Sequence, residues 1–406
     1  MNPVGSGVRA AREGVFEDAG APVPGARASP GPAIAPAPAI ASGQREHVAY
    51  IELFRGLAII LIVLGHCYTL AGGYFDDRNL PPVMSWQYVV PTLIDGGTSY
   101  FVFISGFLYR QVFFGRIAYG DFLRKKALYV GLPYLLLASP VALAEIVTGI
   151  FYVTAVKDGQ PYPDSPFIEF VALMATGRMV TAYWYIPFAM LLFAAAPLFD
   201  RFIRLKSAWR RLAVLGAFLA LALWLHRPAS NLDPVHSLLY FTNVYLFGLL
   251  FWEHRHRLMP LLVRPPVLLL LAGAAVSVAA AQVFLQHSVG NLERGAGDGL
   301  WPLGFDYMLV QKYLAILFLC GFLARWGHLF APPLRFMARI SFGVYFIHGI
   351  IIAVLTRMAP ALSLPHSRNP ILDLAIYGGV VLLLSVAVTL GVKRAAGRRS
   401  RYIIGA

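Results

Sequence analysis

Two ionisable residues stand inside the first long apolar run of the chain, Ile51-Glu-Leu-Phe-Arg-Gly-Leu-Ala-Ile-Ile-Leu-Ile-Val-Leu-Gly-His66. Arg55 and His66 are eleven residues apart, about three turns at ~3.6 residues per turn, so both project from one side of a helix. Glu52 lies three residues before Arg55, shares its face and can pair with it. A histidine that can take a proton near neutral pH and a fixed cation are the parts of a proton-transfer or group-transfer site. Charged side chains at membrane depth are costly and face a cavity or a partner. The plainer reading is a structural ion pair with a histidine at the membrane interface.

A second polar stripe runs through Arg339-Ile-Ser-Phe-Gly-Val-Tyr-Phe-Ile-His348. Ser341, Tyr345 and His348 fall at i, i+4 and i+7 and so form one face of an apolar helix. A lone histidine there could simply bond a neighbouring helix. A third segment, Phe122-Leu-Arg-Lys-Lys-Ala-Leu-Tyr-Val-Gly-Leu-Pro133, sets Arg124, Lys125 and Lys126 where the chain re-enters the membrane. Three adjacent cations suit phosphate groups, and they serve equally as a topology signal. Ser105-Gly106 predicts a close approach of another helix. Tyr183-Trp-Tyr-Ile-Pro187 reads as an aromatic belt at the interface, with stacking on a sugar or headgroup as the alternative. No metal-ligand cluster, phosphate-binding glycine loop or Gly-x-Ser-x-Gly is present in the sequence. The two cysteines, Cys67 and Cys320, lie in apolar runs and read as buried thiols.

These residues must be positioned by membrane helices. Of 406 residues 58% are hydrophobic and 13% charged, a balance suited to an all-α polytopic membrane protein. Spans of ~20 apolar residues are expected at about 48–71, 89–110, 127–152, 182–200, 211–226, 235–252, 265–286, 308–325, 340–358 and 371–392. The connections after the even-numbered spans, with the C-terminal tail, hold 21 Lys and Arg; those after the odd-numbered spans hold 7. The positive-inside rule then places both termini in the cytoplasm; the inner (plasma) membrane is the expected location. The net charge of +14 is thus a topology signal, with no nucleic-acid partner implied. Residues 1–45 read as a disordered Ala/Pro/Gly-rich tail, 46–394 as a ten-helix membrane domain and 395–406 as a basic tail. Counting from the expected span starts, Arg55 lies ~10 Å deep, His66 ~27 Å and His348 ~12 Å.

Together these segments resemble the family-3 integral membrane acyltransferases, ten-span enzymes that O-acylate cell-surface glycans. The matches are Glu52-Leu-Phe-Arg-Gly-Leu-Ala with His66, Phe101-Val-Phe-Ile-Ser-Gly-Phe-Leu108, the basic stretch ending in Pro133-Tyr134, Tyr183-Trp-Tyr-Ile-Pro187 and Ser341-Phe-Gly-Val-Tyr-Phe-Ile-His348. They cover roughly residues 48–393 in the family's order. Where the family has arginines spaced through the start of span 3, this chain has Arg124-Lys-Lys with Tyr129 following. The resemblance implies acyl-coenzyme A, commonly acetyl-coenzyme A, as donor and a glycan or lipid-linked sugar hydroxyl as acceptor. It implies essential roles for Arg55 and His66. On that basis His66 is expected to activate the acceptor or carry the acyl group, Arg55 to orient the thioester or stabilise its developing charge, and Glu52 to fix Arg55. Arg124, Lys125 and Lys126 would hold the coenzyme A phosphates, and His348 and Tyr345 would complete the site. A proton-coupled transporter is the rival reading, using the same intramembrane Arg, Glu and His as a relay.

Overall fold

The computed structural model describes residues 48–67, 70, 84–148, 165–228, 233–285, 305–362, 367 and 369–406. The expected N-terminal tail and most of the longest connections lie outside these residues. Among the described residues the chain is all-helical, with no strand. In order the helices are α1 (Ala49–His66), α2 (Val89–Ile94), α3 (Thr98–Leu108), α4 (Tyr119–Lys126), α5 (Leu132–Thr148), α6 (Pro166–Thr176), α7 (Tyr185–Ala194) and α8 (Ala196–Arg204). They continue with α9 (Ala208–Leu225), α10 (Pro234–Leu262), α11 (Pro265–Phe284), α12 (Tyr307–Trp326), α13 (Ala331–Leu362), α14 (Pro370–Ala396) and α15 (Ser400–Ile403).

Seven helical stretches among the described residues are long and apolar enough to cross a membrane, or eight if the bent pair α7–α8 counts as one span. Leu269, Leu270 and Leu383 are 73%, 71% and 71% exposed, an apolar exterior suited to lipid. This is a multi-pass membrane protein.

Several expected spans are not simple rods. Span 2 breaks at Asp95-Gly-Gly, where Gly96 takes φ +72, a conformation open to glycine. The π-type turns Tyr109–Phe113 and Ala127–Gly131 flank α4. The α7–α8 pair bends by 51° at Ala195, with a proline in the first turn of α8.

The core is built on close approaches of α1 with α13 and of α3 with α10. A Cβ at Gly56 would lie 2.0 Å from the Leu334 carbonyl oxygen, so α1 and α13 touch backbone to backbone. Glu52 lies 3.7 Å from Arg335 at one end of this pair, and His66 bonds His348 at the other, so the two helices run parallel. Helix α12 runs the opposite way, since Gly327 packs on Leu53 and Met308 on Gly96, beside the far end of α1. The stretch Tyr307–Met358 therefore reverses direction at the 3-10 turn Gly327–Phe330. Cβ atoms built at Gly106 and Gly248 would meet the carbonyls of Tyr245 and Phe103 at 2.2 and 2.3 Å. That reciprocal contact is the close approach expected at Ser105-Gly106. Cys67 and Cys320 are buried and free, as expected.

Candidate active site

A cavity of about 220 Å³ collects residues from distant parts of the chain. Helix α1 contributes Arg55, Ile62 and His66, and α13 contributes Ser341, Phe342 and Tyr345. Helix α3 contributes Thr98, Phe101, Ser105 and Leu108, which recur every three or four residues and so form one face. The π-type turn and α4 bring Tyr109, Phe113, Phe122 and Lys126. The walls are mostly apolar, with a few polar groups converging, which is the usual form of a small-molecule site.

Arg55 and His66 both line this cavity, as their eleven-residue spacing predicts. The Arg55 Nε is buried with no hydrogen-bond partner among the described residues, so a donor remains unspent in the wall. Glu52, on the same helix, interacts electrostatically with Arg55 as its spacing predicts, and its carboxylate also lies 3.7 Å from Arg335 of α13, a partner that sequence spacing could not supply.

His66 Nδ1 is 3.1 Å from His348 Nε2, and His348 Nδ1 is 3.1 Å from the Val344 carbonyl. A carbonyl can only accept, so His348 Nδ1 carries its hydrogen. In the neutral ring His348 Nε2 is then an acceptor, and His66 Nδ1 donates to it. That assignment leaves the lone pair of His66 on Nε2, the arrangement of a general base held in one tautomer by a second group. His348, 0% exposed, does not line the cavity itself and meets it through its contact with His66. A His348→Gln protein, which can still offer an acceptor, is expected to keep more transfer activity than His348→Ala. The alanine variant should lose about one to two orders of magnitude in kcat, with donor KM unchanged. Steady-state kinetics on the two proteins checks this.

The contact with His66 also corrects a depth. His348 was expected ~12 Å into the membrane, well short of His66. Helix α13 starts at Ala331 instead of 340, so His348 is ~26 Å along it at 1.5 Å per residue and level with His66. Pro332 and Pro333 belong to the first helical turn, where a missing N–H is harmless.

The three adjacent cations separate. Lys126 lines the cavity, with its Nζ 4.3 Å from the Phe193 ring centroid and 5.1 Å from that of Phe113. Arg124 and Lys125 point to the exposed side of α4 and do not line the cavity. The Arg401 guanidinium, from the C-terminal segment, lies 4.5 Å over the Tyr129 ring. That segment, expected as a basic tail, is folded, with Ile404 buried at 1% exposure.

Tyr183-Trp-Tyr-Ile-Pro187 is not an interfacial belt. Tyr183 and Trp184 are buried, Trp184 and Tyr185 line the cavity, and the Tyr183 hydroxyl donates to the Phe346 carbonyl at 3.0 Å. Tyr345 donates its hydroxyl to the Ala182 carbonyl and so ties α13 to the same segment.

Sequence reasoning left a buried polar network unassigned next to the His66 end of the cavity. Asp95 lies 3.9 Å from Arg227, and Lys312 Nζ donates to the Leu93 carbonyl at 2.9 Å. Tyr240 donates to Asp306 at 2.7 Å, and His226 Nδ1 is 3.8 Å from the same carboxylate. The available signal was a lysine, an arginine and an Asp-Gly-Gly inside or beside apolar spans.

The family model for the acyltransferase domain of acyltransferase family 3 matches residues 48–390. The chain belongs to acyltransferase family 3. No curated protein and no solved structure matches it. The match spans every segment that lines the cavity, from α1 to α13. This family-3 acyltransferase therefore holds its candidate site inside the family's own region, between helices far apart in sequence.

Proposed function

We propose that this family-3 membrane acyltransferase moves an acyl group, acetyl in the simplest case, from acyl-coenzyme A to a sugar hydroxyl. The acceptor is a cell-surface or exopolysaccharide glycan or its lipid-linked precursor. The observation that carries the reading is the His66 ring, held by His348 with Nε2 left as the lone-pair atom, on a cavity that also holds Arg55 and Lys126.

In the step proposed, the acceptor hydroxyl attacks the thioester carbonyl carbon and gives its proton to His66 Nε2. The carbonyl electron pair moves to its oxygen. Collapse of this intermediate re-forms the carbonyl and breaks the carbon–sulfur bond, and the departing thiolate takes the proton back from His66. Arg55, with its unspent Nε, holds the donor arm, and Lys126 pairs with a phosphate at the α4 end. Arg124 and Lys125 serve as outer attraction for the same anionic donor. Ten crossings, cytoplasmic termini and residence in the inner membrane complete the reading. In this reading the donor approaches from the cytoplasmic side, where the basic ends would lie, and the acceptor from the outer face.

Lys126→Ala is expected to weaken coenzyme A binding by about tenfold, in line with the loss of one charge-assisted contact. Lys125→Ala should change it less than about twofold, since exposed charges contribute little. Isothermal titration of detergent-solubilised protein measures both. In cells, the surface glycan of a deletion strain should lack O-acyl NMR signals that its parent shows, and an unchanged glycan would overturn the glycan-acceptor assignment. The buried network around Asp95, Arg227 and Lys312 would also suit a proton-coupled transporter. Solute uptake into proteoliposomes without any acyl donor would favour that alternative.

A further inference from the structure

Acyl transfer develops negative charge on the thioester oxygen, and Arg55, the cation expected to orient the thioester or stabilise that charge, stands far from His66. Arg55 is ~16 Å back along α1 from His66, and helical side chains lean towards the N-terminus, which carries its guanidinium further away. The break in span 2 stands much closer. A Cβ at Gly97 would lie 3.1 Å from Ile62 Cγ1, and one at Gly65 would lie 3.9 Å from the Asp95 Cα. The start of α3 is therefore level with the last turn of α1, which bears His66.

Backbone freed by a helix break at membrane depth must face protein or a cavity. Here Thr98, the first residue of α3, lines the cavity. The first α3 amides with a backbone acceptor are those of Ser99, to Gly96 at 3.2 Å, and Tyr100, to Gly97 at 3.0 Å. The amides of Gly97 and Thr98 precede them, at the positive end of the helix dipole. No side chain caps this end. Asp95, the acid best placed in sequence to do so, turns its carboxylate to Arg227 at 3.9 Å. Lys312 fixes the other side of the break through the Leu93 carbonyl, and its Cε would be 2.9 Å from a Cβ at Gly96. Thr98 is 8% exposed and lines the cavity, and its hydroxyl has no hydrogen-bond partner among the described residues.

We propose that the start of α3 is the oxyanion site of the transfer, with the Gly97 and Thr98 amides and the Thr98 hydroxyl donating to the thioester oxygen. This rests on the acyl-transfer reading. Thr98 is then a catalytic residue, and the Asp95–Arg227 pair and Lys312 are positioning residues that keep the helix end open. Donors preorganised for developing charge act on kcat more than on binding.

The test compares Thr98→Val, which keeps shape and loses the hydroxyl, with Thr98→Ser, which keeps the hydroxyl. Purified protein is assayed with acetyl-coenzyme A and a sugar acceptor. Thr98→Val should lower kcat by about 100-fold with donor KM unchanged, and Thr98→Ser should stay within about threefold of wild type. Thr98→Ala, compact and helix-favouring, repeats the measurement if the valine protein does not fold. No transfer by the wild-type protein would overturn the acyl-transfer reading itself. A transferring wild type overturns the oxyanion assignment alone in any of three cases. These are wild-type kcat in the variants lacking the hydroxyl, a loss confined to KM, or a Thr98→Ser loss as large as that of Thr98→Val.

Discussion

A His66→Ala protein is expected to fold, bind donor and lose acyl transfer by about 10²–10⁴-fold, the usual range for removal of a general base. The size of the effect follows from the hydrogen-bond chain. His348 Nδ1 donates to the Val344 carbonyl, and His66 Nδ1 donates to His348 Nε2, which leaves the lone pair on Nε2 of His66, a residue that lines the cavity, as the base of the proposed step. Removing His66 deletes that base and leaves His348 Nε2 without its donor. Folding should survive, because His66 is the last residue of α1 and the helix is held further back at Gly56. Donor affinity should survive because Arg55 and Lys126 remain. Single-turnover kinetics with saturating donor separates chemistry from binding.

Gly56→Val is expected to unfold the protein or lower its stability by at least about 3 kcal/mol, the upper part of the range for overpacking a core. A Cβ at Gly56 would sit 2.0 Å from the Leu334 carbonyl oxygen and 2.8 Å from its carbon, and these are backbone atoms that cannot swing aside. Any relief must move α1 off α13. The same motion would separate His66 from His348, so a protein that folds anyway should also lose activity. Gly379→Ala is the matched control, because nothing lies within 4 Å of a Cβ there. It should be neutral or stabilise by about 0.5–1 kcal/mol, as alanine does over glycine in a helix. Thermal unfolding in detergent distinguishes the two. Equal stability of both variants would contradict the backbone contact.

Particular residues show how far the sequence carried the argument. Arg55 and His66 sit on one helix, and a periodicity of 3.6 sufficed to put both on one wall. Ser341 and Tyr345 followed the same rule on α13. His348 was assigned the wrong depth, because the expected span began at 340, whereas α13 begins at Ala331 with Pro332 and Pro333 in its first turn. The aromatic segment at Tyr183 was read as a membrane belt, since composition cannot separate a lipid interface from a protein interior. Glu52 pairs with Arg335, 283 positions away in the chain, and such a partner is fixed by the crossing of α1 and α13. Asp95-Gly-Gly was absorbed into a span because its mean hydropathy hides a break. The Lys312 side chain that holds the break open comes from an equally apolar helix.

The most direct test follows labelled acetyl-coenzyme A with purified wild-type and His66→Ala proteins in proteoliposomes supplied with a sugar acceptor. The wild-type protein should move the label from the thioester to an oxygen ester of the sugar, while His66→Ala binds the donor and leaves the label on it. Transfer at the wild-type rate by a folded His66→Ala protein would contradict the role given to the His66–His348 pair. The absence of any transfer by folded wild-type protein would contradict the acyl-coenzyme A reading as a whole.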